Sequence, residues 1–338
     1  MEYRQLGRTG VKVTPLCLGC MMFGGKTEPE PSMDIIDRAI DAGINFVDTA
    51  NVYSRGRSEE VTGDALKRNG KRDRIVLATK VHGRMADDDP NMMGNSRRHI
   101  IQQCDASLKR LKTDWIDLYQ IHRPRSETPF DETLRALDDL IRTGKVRYIG
   151  TSTFAAWQFV ESLWISKELG LNRFVSEQPP YNLLDRRIER ELLPMARSHG
   201  VAVIPWSPLG QGFLTGKYER NQPAAEGWRL SPDHFRTKAV LESSQTFDIV
   251  DVLKAIAAEK GDGVNAGHIA LAWCMARPGI TSPIIGPRTM EQLEDNLKAV
   301  DVVLTEQDNN RLDEVSPPGG MVAPYYNADF GPAQYPWP

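Results

Sequence analysis

The chain has few cysteines, no long hydrophobic run and no marked excess of charge of either sign. Its 338 residues include only four cysteines, and its 42 basic and 45 acidic residues leave a formal net charge of −3. Four scattered thiols cannot supply a disulfide framework for a chain of this length, which indicates a reducing compartment and predicts a cytoplasmic location. Because the charges balance, a nucleic-acid or anionic-lipid surface is not expected, and the predicted partners are small molecules.

Neither an export signal nor a membrane span is expected from the sequence. The first ten residues, MEYRQLGRTG, contain no apolar core. No stretch approaches the roughly 18 apolar residues that cross a bilayer. The spacing Cys17-x-x-Cys20 raises the alternative of a metal or redox site, but a second ligand pair is missing and the motif lies in an apolar run. Ordinary packing of the two cysteines is therefore favoured, and no metal is predicted.

What the chain does have is a series of apolar, strand-like runs that alternate with amphipathic helical segments. The eight runs lie near Leu16 to Gly19, Ile44 to Thr49, Ile75 to Val81, Trp115 to His122, Val146 to Ser152, Phe174 to Gln178, Val201 to Ser207 and Pro283 to Gly286. Strand followed by helix, repeated, predicts a parallel sheet, and eight parallel strands close a barrel. The predicted fold is therefore an α/β protein, a (β/α)8 TIM barrel.

Residues that suit helix ends punctuate this pattern. Ser32 and Ser96 are expected to cap the N-termini of the helices that follow them, because a hydroxyl can accept from an otherwise unpaired amide. Gly43 and Gly144 are expected to end helices, since glycine readily adopts the left-handed conformation there. The predicted helices thus have defined ends.

Three segments are additional to a minimal barrel. Residues Tyr3 to Val13 alternate around a glycine-bracketed turn and predict a hairpin that plugs one end of the barrel. The wide separation of the seventh and eighth runs predicts a long loop insertion at Glu219 to Phe247, followed by extra helices at Phe247 to Lys260 and Ala266 to Arg277. These additions enlarge the barrel without requiring a second domain.

The expected domain organisation is one barrel over residues 1–315 and a tail over residues 316–338. The tail is rich in Pro, Gly and aromatic residues and has no periodicity of its own. It either docks over the barrel mouth, packs on another subunit or stays disordered, and the sequence leaves these alternatives open. A homo-oligomer is compatible with the sequence.

Four polar residues follow three successive strand runs closely. Asp48 and Tyr53 come after the second run, Lys80 lies at the end of the third, and His122 ends the fourth. The carboxyl ends of barrel strands share one rim, where active sites are built. A carboxylate, a phenol, an ammonium and an imidazole are therefore expected to meet there.

This set suits protonation of an oxygen while hydride reaches its carbon. A free phenol holds its proton too tightly for efficient transfer near neutral pH, and a neighbouring ammonium group stabilises the phenolate. We expect Lys80 to act on Tyr53 in this way, with Asp48 as the counter-charge of the buried lysine. His122 is expected to hold a carbonyl oxygen. Each residue alone has an ordinary structural interpretation, and it is their joint pattern that favours a catalytic site.

The residues carry a resemblance to a known family. From Met1 to about Val315 the chain resembles the aldo-keto reductases, specifically the bacterial and plant members related to potassium-channel β subunits. The matching segments are GINFVDTA with Tyr53, ATK, DLYQIH, GKVRYIG and WSPLG. The resemblance implies a catalytic tetrad of Asp48, Tyr53, Lys80 and His122, with Tyr53 as general acid. It also implies reversible reduction of an aldehyde or ketone by a nicotinamide cofactor.

The cofactor is not expected in a Rossmann site, because no Gly-x-Gly-x-x-Gly motif follows the first strand. The resemblance instead places Trp206 against the nicotinamide and gives the carboxamide to Ser152 and Gln178. The loop residues that it gives to the pyrophosphate are Ser207, Leu209, Gly210, Gly212 and Lys217. Thr153 departs from the family, which often has Asn there, so an amide donor to the carboxamide is missing.

The segment Gly286-Pro287-Arg288-Thr289 opens a helix after the last strand run. A helix N-terminus and a guanidinium together suit a phosphate, so Arg288 is expected to hold the 2′-phosphate that distinguishes NADPH (NADP+) from NADH. NADPH is therefore favoured over NADH. Similar reductases imply contacts to the adenosine from Gln292, Asp295 and Asn296, and Pro287 departs from the small flexible residue that is common there.

Two functions from different classes remain. The first is NADPH-dependent reduction of a carbonyl compound, and the second is a nicotinamide-binding regulatory subunit of a membrane protein complex with weak or no turnover. A keto-sugar, a quinone or an alicyclic ketone would each suit the expected pocket as substrate. The expected pocket walls are Phe23, His82, residues 84–96, Thr153, the insertion near Trp228 and the tail.

Overall fold

The chain forms a closed parallel barrel with a short hairpin before it. The computed structural model describes residues 1–220 and 235–322, with side chains from residue 239 onward in the second range. Two short strands, β1 (Arg4–Gln5) and β2 (Lys12–Val13), pair antiparallel. This is the hairpin that the alternating pattern predicts.

Eight parallel strands make up the second sheet. They are β3 (Cys17–Gly19), β4 (Phe46–Asp48), β5 (Val76–Val81), β6 (Ile116–Ile121), β7 (Val146–Ser152), β8 (Phe174–Gln178), β9 (Ala202–Val203) and β10 (Ile284–Ile285). β10 pairs with β3, and the others follow in chain order to β9. The Thr281 amide donates to Val203 O and the Ile284 amide to Pro205 O, both at 2.8 Å. These bonds join the two edges, which confirms the (β/α)8 barrel.

Helices cover the outside of the barrel. They are α1 (Pro29–Asp41), α2 (Arg57–Asn69), α3 (Arg97–Leu111), α4 (Phe130–Arg142), α5 (Ala156–Leu169), α6 (Leu192–His199), α7 (Phe235–Glu242), α8 (Ser244–Lys260), α9 (Ala266–Ala276), α10 (Met290–Lys298) and α11 (Glu306–Val315). Their buried faces pack with the outward residues of the strands in one hydrophobic cluster. The barrel is thus a rigid scaffold for the loops at its ends.

The predicted helix ends are partly correct. Ser96 caps α3, where its hydroxyl accepts from the His99 amide at 3.3 Å, and Gly144 has a positive φ of 75° just after α4. The prediction for Ser32 is wrong, because α1 begins at Pro29. Ser32 lies within the first turn and donates to Glu28 O at 2.7 Å. Proline suits the first turn of a helix, since its φ is fixed and the amide that it lacks is unpaired there anyway.

The insertion after β9 is more helical than its polar composition indicates. The loop expected up to Phe247 contains α7 and the beginning of α8, while residues 221–234, with Trp228, lie outside the described ranges. The two predicted extra helices correspond to α8 and α9. α8 buries Phe247, Val250 and Leu253 on one side, so tertiary packing rather than composition decides its start.

The hairpin closes the amino end of the barrel. Leu6 and Val13 are fully buried in the cluster that fills the barrel interior, together with Phe46 and Leu118. Gly7 has a φ of 57°, and a Cβ there would lie 2.7 Å from Val175 O and 2.8 Å from Gly200 O. The plug therefore fits tightly at this end, and the carboxyl rim remains as the open end.

The beginning of the tail is fixed to the loop after β8. The Ser316 hydroxyl donates to Leu183 O at 2.7 Å, and the Val322 amide donates to Leu184 O at 2.8 Å. The fully buried Arg186 pairs with Asp313 at 2.6 Å. The rest of the predicted tail, residues 323–338, lies outside the described ranges.

All four cysteines are buried and unpaired. Cys17 belongs to the cluster inside the barrel and Cys20 to the cluster between strands and helices, so the two side chains pack in different environments. Within the described ranges, the helices include none that is both long and apolar enough to span a bilayer.

Candidate active site

Strand alternation brings the predicted rim residues together. Phe46 and Ala78 point into the barrel core, and two residues further along the same strands Asp48 and Lys80 point the same way near the carboxyl rim. His122 follows β6 directly, with its amide bonded to Val81 O at 2.9 Å. A carboxylate, an ammonium and an imidazole thus meet at one end of the barrel.

A tight turn after β4 adds Tyr53 to this group. Ser54, Arg55 and Gly56 have φ values of 48°, 53° and 97°, so three consecutive residues are left-handed. Such conformations are unfavourable for Ser and Arg and are found where function requires them. The turn holds the Tyr53 hydroxyl 3.3 Å from Lys80 Nζ. Nothing in the sequence predicts this strained turn, because neither serine nor arginine marks a left-handed position.

Lys80 is a buried ammonium with a complete set of partners. It is ion-paired with Asp48 Oδ1, donates to Thr49 O at 2.8 Å and contacts the Tyr53 hydroxyl. Burial acts to lower the pKa of Lys80, but Asp48 and Tyr53 together outweigh it and the pKa is raised. Lys80 is therefore protonated at neutral pH and can donate to the phenol oxygen.

His122 is a neutral imidazole beside that phenol. Burial lowers its pKa well below the ordinary range, and the cations Arg123 and Lys80 lower it further. Its ring meets the Tyr53 ring edge-on, with centroids 5.6 Å apart. The neutral ring can donate one hydrogen bond to an oxygen in the cavity without carrying a charge of its own.

Most of the predicted residues surround one cavity of about 620 Å³ over the carboxyl rim. Of the residues predicted to act, those in its wall are Asp48, Tyr53, His122, Ser152, Gln178, Trp206, Ser207, Leu209, Gly212, Lys217, Gly286, Arg288, Gln292, Asp295 and Asn296. Lys80 and Gly210 are not in the wall. Lys80 reaches it only through Asp48 and Tyr53.

The loop after β9 is shaped by left-handed residues. Ser207, Gly210, Gln211 and Gly212 have φ values of 56°, 57°, 60° and 100°. The Gly210 amide donates to Ser207 O and the Gly212 amide to Leu209 O, both at 2.9 Å. These two amides are engaged within the loop, and the glycines allow its left-handed turns.

The opposite end of the cavity is the N-terminus of α10. Thr289 caps the helix by accepting from the Gln292 amide at 3.3 Å, and Gln292 Oε1 accepts from the Arg288 amide at 2.8 Å. Among the described residues no carboxylate pairs with the Arg288 guanidinium. Asp295 is engaged by His268 Nε2 at 3.0 Å and by Asn265. The side of the cavity formed by the start of α10 thus carries the cation of Arg288.

Several wall residues were missed by sequence reasoning. Met21, Met22 and Arg123 also line the cavity. Arg123 Nη1 lies 2.6 Å from His122 O, 3.2 Å from Ser152 Oγ and 3.0 Å from Thr153 Oγ1. The position of Arg123 directly after His122 is the one signal that would have found it.

Three single residues expected in the wall lie elsewhere, and none of residues 84–96 lines the cavity either. Phe23 is fully buried in the hydrophobic core. His82 is bonded to Asn95 Oδ1 at 2.9 Å, and neither it nor Thr153 lines the cavity. Thr153 has a φ of 64°, an unfavourable conformation for a β-branched side chain. The loop therefore places Ser152 in the wall and turns Thr153 away from it.

The two ends of the cavity offer different chemistry. One end has a phenol held by a protonated lysine, beside a neutral imidazole and the Gln178 amide, which suits proton transfer to a polarised oxygen. The other end has a guanidinium at a helix N-terminus, which suits a phosphate. Gln211 also lines the cavity, and its buried Oε1 has no hydrogen-bond partner in the part of the chain that the structure describes. The donor set fits an extended nicotinamide dinucleotide.

Comparison with known proteins gives one family. The model of the Aldo/keto reductase family matches residues 15–317. The uncharacterized oxidoreductase YrpG of Bacillus subtilis is 40% identical, over 96% of this chain and 99% of the relative. The versiconal hemiacetal acetate reductase of Aspergillus parasiticus is 36% identical, over 93% of this chain and 96% of the relative.

A relative of another kind is similar to nearly the same extent. The probable voltage-gated potassium channel subunit beta of Arabidopsis thaliana is 38% identical, over 90% of this chain and 92% of the relative. The similarity to this protein and the similarity to the two oxidoreductases both extend over nearly the whole chain.

Proposed function

The chain belongs to the aldo/keto reductase family and is an NAD(P)H-dependent oxidoreductase, and from this premise we propose that it reduces an aldehyde or ketone to the alcohol with NADPH. The reaction is reversible in principle. The catalytic residues in this proposal are Tyr53, Lys80, Asp48 and His122, and the predicted partner is a small carbonyl compound.

A reduced nicotinamide bound in this cavity would be the source of the hydride for the carbonyl carbon. Tyr53 gives its hydroxyl proton to the carbonyl oxygen, and the phenolate that remains is stabilised by Lys80 Nζ at 3.3 Å. Asp48 keeps Lys80 protonated in its buried position. His122, neutral at working pH, donates to the same carbonyl oxygen and stabilises the charge that develops on it.

A single observation supports this proposal above the others. The Tyr53 hydroxyl is in contact with a fully buried, ion-paired lysine and opens onto a cavity that His122 also lines. A phenol that only filled space at the rim would not require a buried ammonium beneath it, since a buried ion pair such as Lys80 with Asp48 is often no more stable than apolar side chains of similar volume and so points to a use other than stability. Proton transfer provides that use.

The preference for NADPH over NADH rests on the far end of the cavity. Arg288 lies at the N-terminus of α10 with its amide held by Gln292, and the guanidinium has no carboxylate partner among the described residues. A dianionic 2′-phosphate would supply that partner. Trp206, Ser152 and Gln178 would hold the nicotinamide end, with Lys217 and the loop after β9 between the two ends.

The alternative function is a regulatory one. Two relatives with the printed name of a voltage-gated potassium channel subunit beta cover 90% of this chain each. A nicotinamide-binding subunit of a membrane protein complex would use the same cavity with weak or no turnover.

We also propose that residues 1–315 form one barrel domain, that the protein is cytoplasmic and that it forms a homo-oligomer.

A panel of carbonyl compounds tests the proposed function. Aldehydes, keto-sugars, quinones and alicyclic ketones are offered with NADPH and, separately, with NADH, and loss of the reduced nicotinamide absorbance is followed. We expect turnover of at least one class, faster with NADPH. Absence of turnover across the panel, together with stoichiometric capture of a membrane protein, would instead favour the regulatory subunit.

A further inference from the structure

Two glutamine side chains share one oxygen of Asp48. Gln120 Nε2 and Gln178 Nε2 each donate to Asp48 Oδ2 at 3.0 Å. Gln178 Nε2 also donates to Gln120 Oε1 at 3.1 Å. All three side chains are buried. The other oxygen, Oδ1, is taken by Lys80, so the carboxylate joins the proton-transfer group to a pair of amides.

The charge of Asp48 fixes which way both amides face. An ionised carboxylate accepts hydrogen bonds and cannot donate them, so each glutamine must turn its NH2 group toward Asp48. Gln178 Nε2 then donates one of its two hydrogens to Asp48 and the other to Gln120 Oε1. The side-chain oxygen of Gln178 then remains as a hydrogen-bond acceptor, and Gln178 lines the cavity.

We propose that Gln120 is a positioning residue that locks the amide of Gln178 with its oxygen toward the cavity. The site then selects a ligand head group with an N–H donor, which is a primary carboxamide rather than a ketone or a carboxylate. This inference deepens the proposed function and rests on nicotinamide binding at that end of the cavity.

Gln120 is required because Asp48 alone binds only one of the two Gln178 protons. Without an acceptor at position 120, the second proton is unpaired in a buried site, and the amide gains by turning to another partner. Gln120 itself does not line the cavity, so any effect of its replacement on ligand selection must pass through Gln178. Removal of Gln120 also takes one donor from Asp48.

The binding of NADP+ and of one analogue tests the role of Gln120 without any catalytic turnover. Dissociation constants are measured by titration calorimetry for NADP+ and for its 3-acetylpyridine analogue, in which a methyl group replaces the carboxamide NH2. The wild type should prefer NADP+ roughly fivefold, the equivalent of one ordinary hydrogen bond. Gln120→Leu should bring this ratio close to one, because Gln178 no longer presents a fixed acceptor.

Ser176→Ala is the matched control. Ser176 is also fully buried on a barrel strand, and its hydroxyl has no hydrogen-bond partner in the described part of the chain. Its replacement disturbs the same interior without touching the Asp48 group, so the wild-type ratio should persist. Should Gln120→Leu not fold, Gln120→Asn replaces it, since a side chain one methylene shorter cannot reach both partners and should lower the ratio in the same way.

The inference is overturned by a wild-type ratio near one, or by a folded Gln120 variant that keeps the wild-type ratio. These results are distinct from a failure of the proposed function. A protein that shows the predicted ratios and yet reduces no carbonyl compound contradicts the enzyme proposal alone. A protein that reduces carbonyl compounds but shows no effect at Gln120 contradicts this inference alone.

Discussion

Arg288 carries the proposed discrimination between the two nicotinamide cofactors. Its guanidinium lies at the cap of α10. Charge-assisted hydrogen bonds contribute about 1.5–3 kcal/mol, so Arg288→Ala should raise the dissociation constant for NADPH on the order of tenfold to a hundredfold. The constant for NADH should change little, because NADH has no 2′-phosphate. Fluorescence titration with both cofactors measures this difference.

The matched control for this variant is Arg311→Ala. Arg311 is a cation on α11 that pairs with Glu259 at 2.8 Å, away from the cavity. Its loss removes the same charge from the molecule and should leave both constants unchanged. Equal effects of Arg288→Ala on NADPH and NADH would contradict the assignment of the 2′-phosphate.

The buried carboxyl group of Glu177 should make the free energy of unfolding depend on pH. It accepts from the Phe154 amide at 3.1 Å and from the Thr151 hydroxyl, and it holds the loop that carries Ser152. Burial raises its pKa to about 8 from an ordinary value near 4.5. Between these values the unfolded chain loses the proton while the folded chain keeps it. The contribution of Glu177 to the free energy of unfolding is therefore fully present below the pKa of the unfolded chain and is lost as the pH rises toward 8.

Glu177→Gln should remove this dependence. Urea unfolding at pH 5.5, 6.5 and 7.5 should show that the wild type loses stability relative to the variant by about 1 kcal/mol for each pH unit. Glu161→Gln, at an exposed position on α5, serves as the control and should follow the wild type. Parallel curves for Glu177→Gln and the wild type would show that Glu177 ionises alike in both states.

Single residues differ in how far the sequence reveals them. Asp48, Lys80 and His122 were found because strand ends predict a common rim, and their types are unusual inside a barrel. Gln120 lies on β6, two residues before His122, yet its partners, Asp48 and Gln178, come from other strands. An amide has no fixed role until such partners are known. Arg123 was missed in the same way, because its partners Ser152 and Thr153 come from a distant part of the sequence.

Among the elements, the N-terminal hairpin allows a sharp test of how the barrel is closed. A Cβ at Gly7 would lie 2.7 Å from Val175 O and 2.8 Å from Ala202 N, and its φ of 57° is itself unfavourable for alanine. Gly7→Ala should therefore destabilise the fold by roughly 2 kcal/mol or more. Chemical unfolding measures the change.

Gly10→Ala is the control in the same turn. Apart from its two chain neighbours, no described residue has an atom within 4 Å of a Cβ at Gly10, so this variant should change stability little. If both variants behave alike, the hairpin does not pack into the barrel end as described.

Elements were predicted well where packing and sequence pattern agree. β7 and β8 have the predicted bounds, because continuous apolar runs mark buried parallel strands. α7 was taken for loop since its sequence, FRTKAVLE, has little periodicity. The turn after Tyr53 was missed entirely, because its left-handed residues are held by tertiary contacts and not by residue type.

At the scale of the whole molecule, the two ends of the barrel have separate tasks. The amino end is closed by Leu6 and Gly7, while the carboxyl end carries the cavity. This division was predictable, since parallel barrels place their sites at the carboxyl rim. The substrate was not, because the cavity wall is built from loops such as those of Met21 and Arg123, whose paths depend on the assembled fold.

The most direct test of the central claim is the rate of carbonyl reduction by Tyr53→Phe at saturating NADPH, measured beside its dissociation constant for NADPH. The account predicts that turnover falls on the order of a hundredfold or more, because the proton donor is lost. Cofactor binding should stay close to that of the wild type, since the ring and Lys80 remain. Turnover by Tyr53→Phe at the wild-type rate would contradict the account.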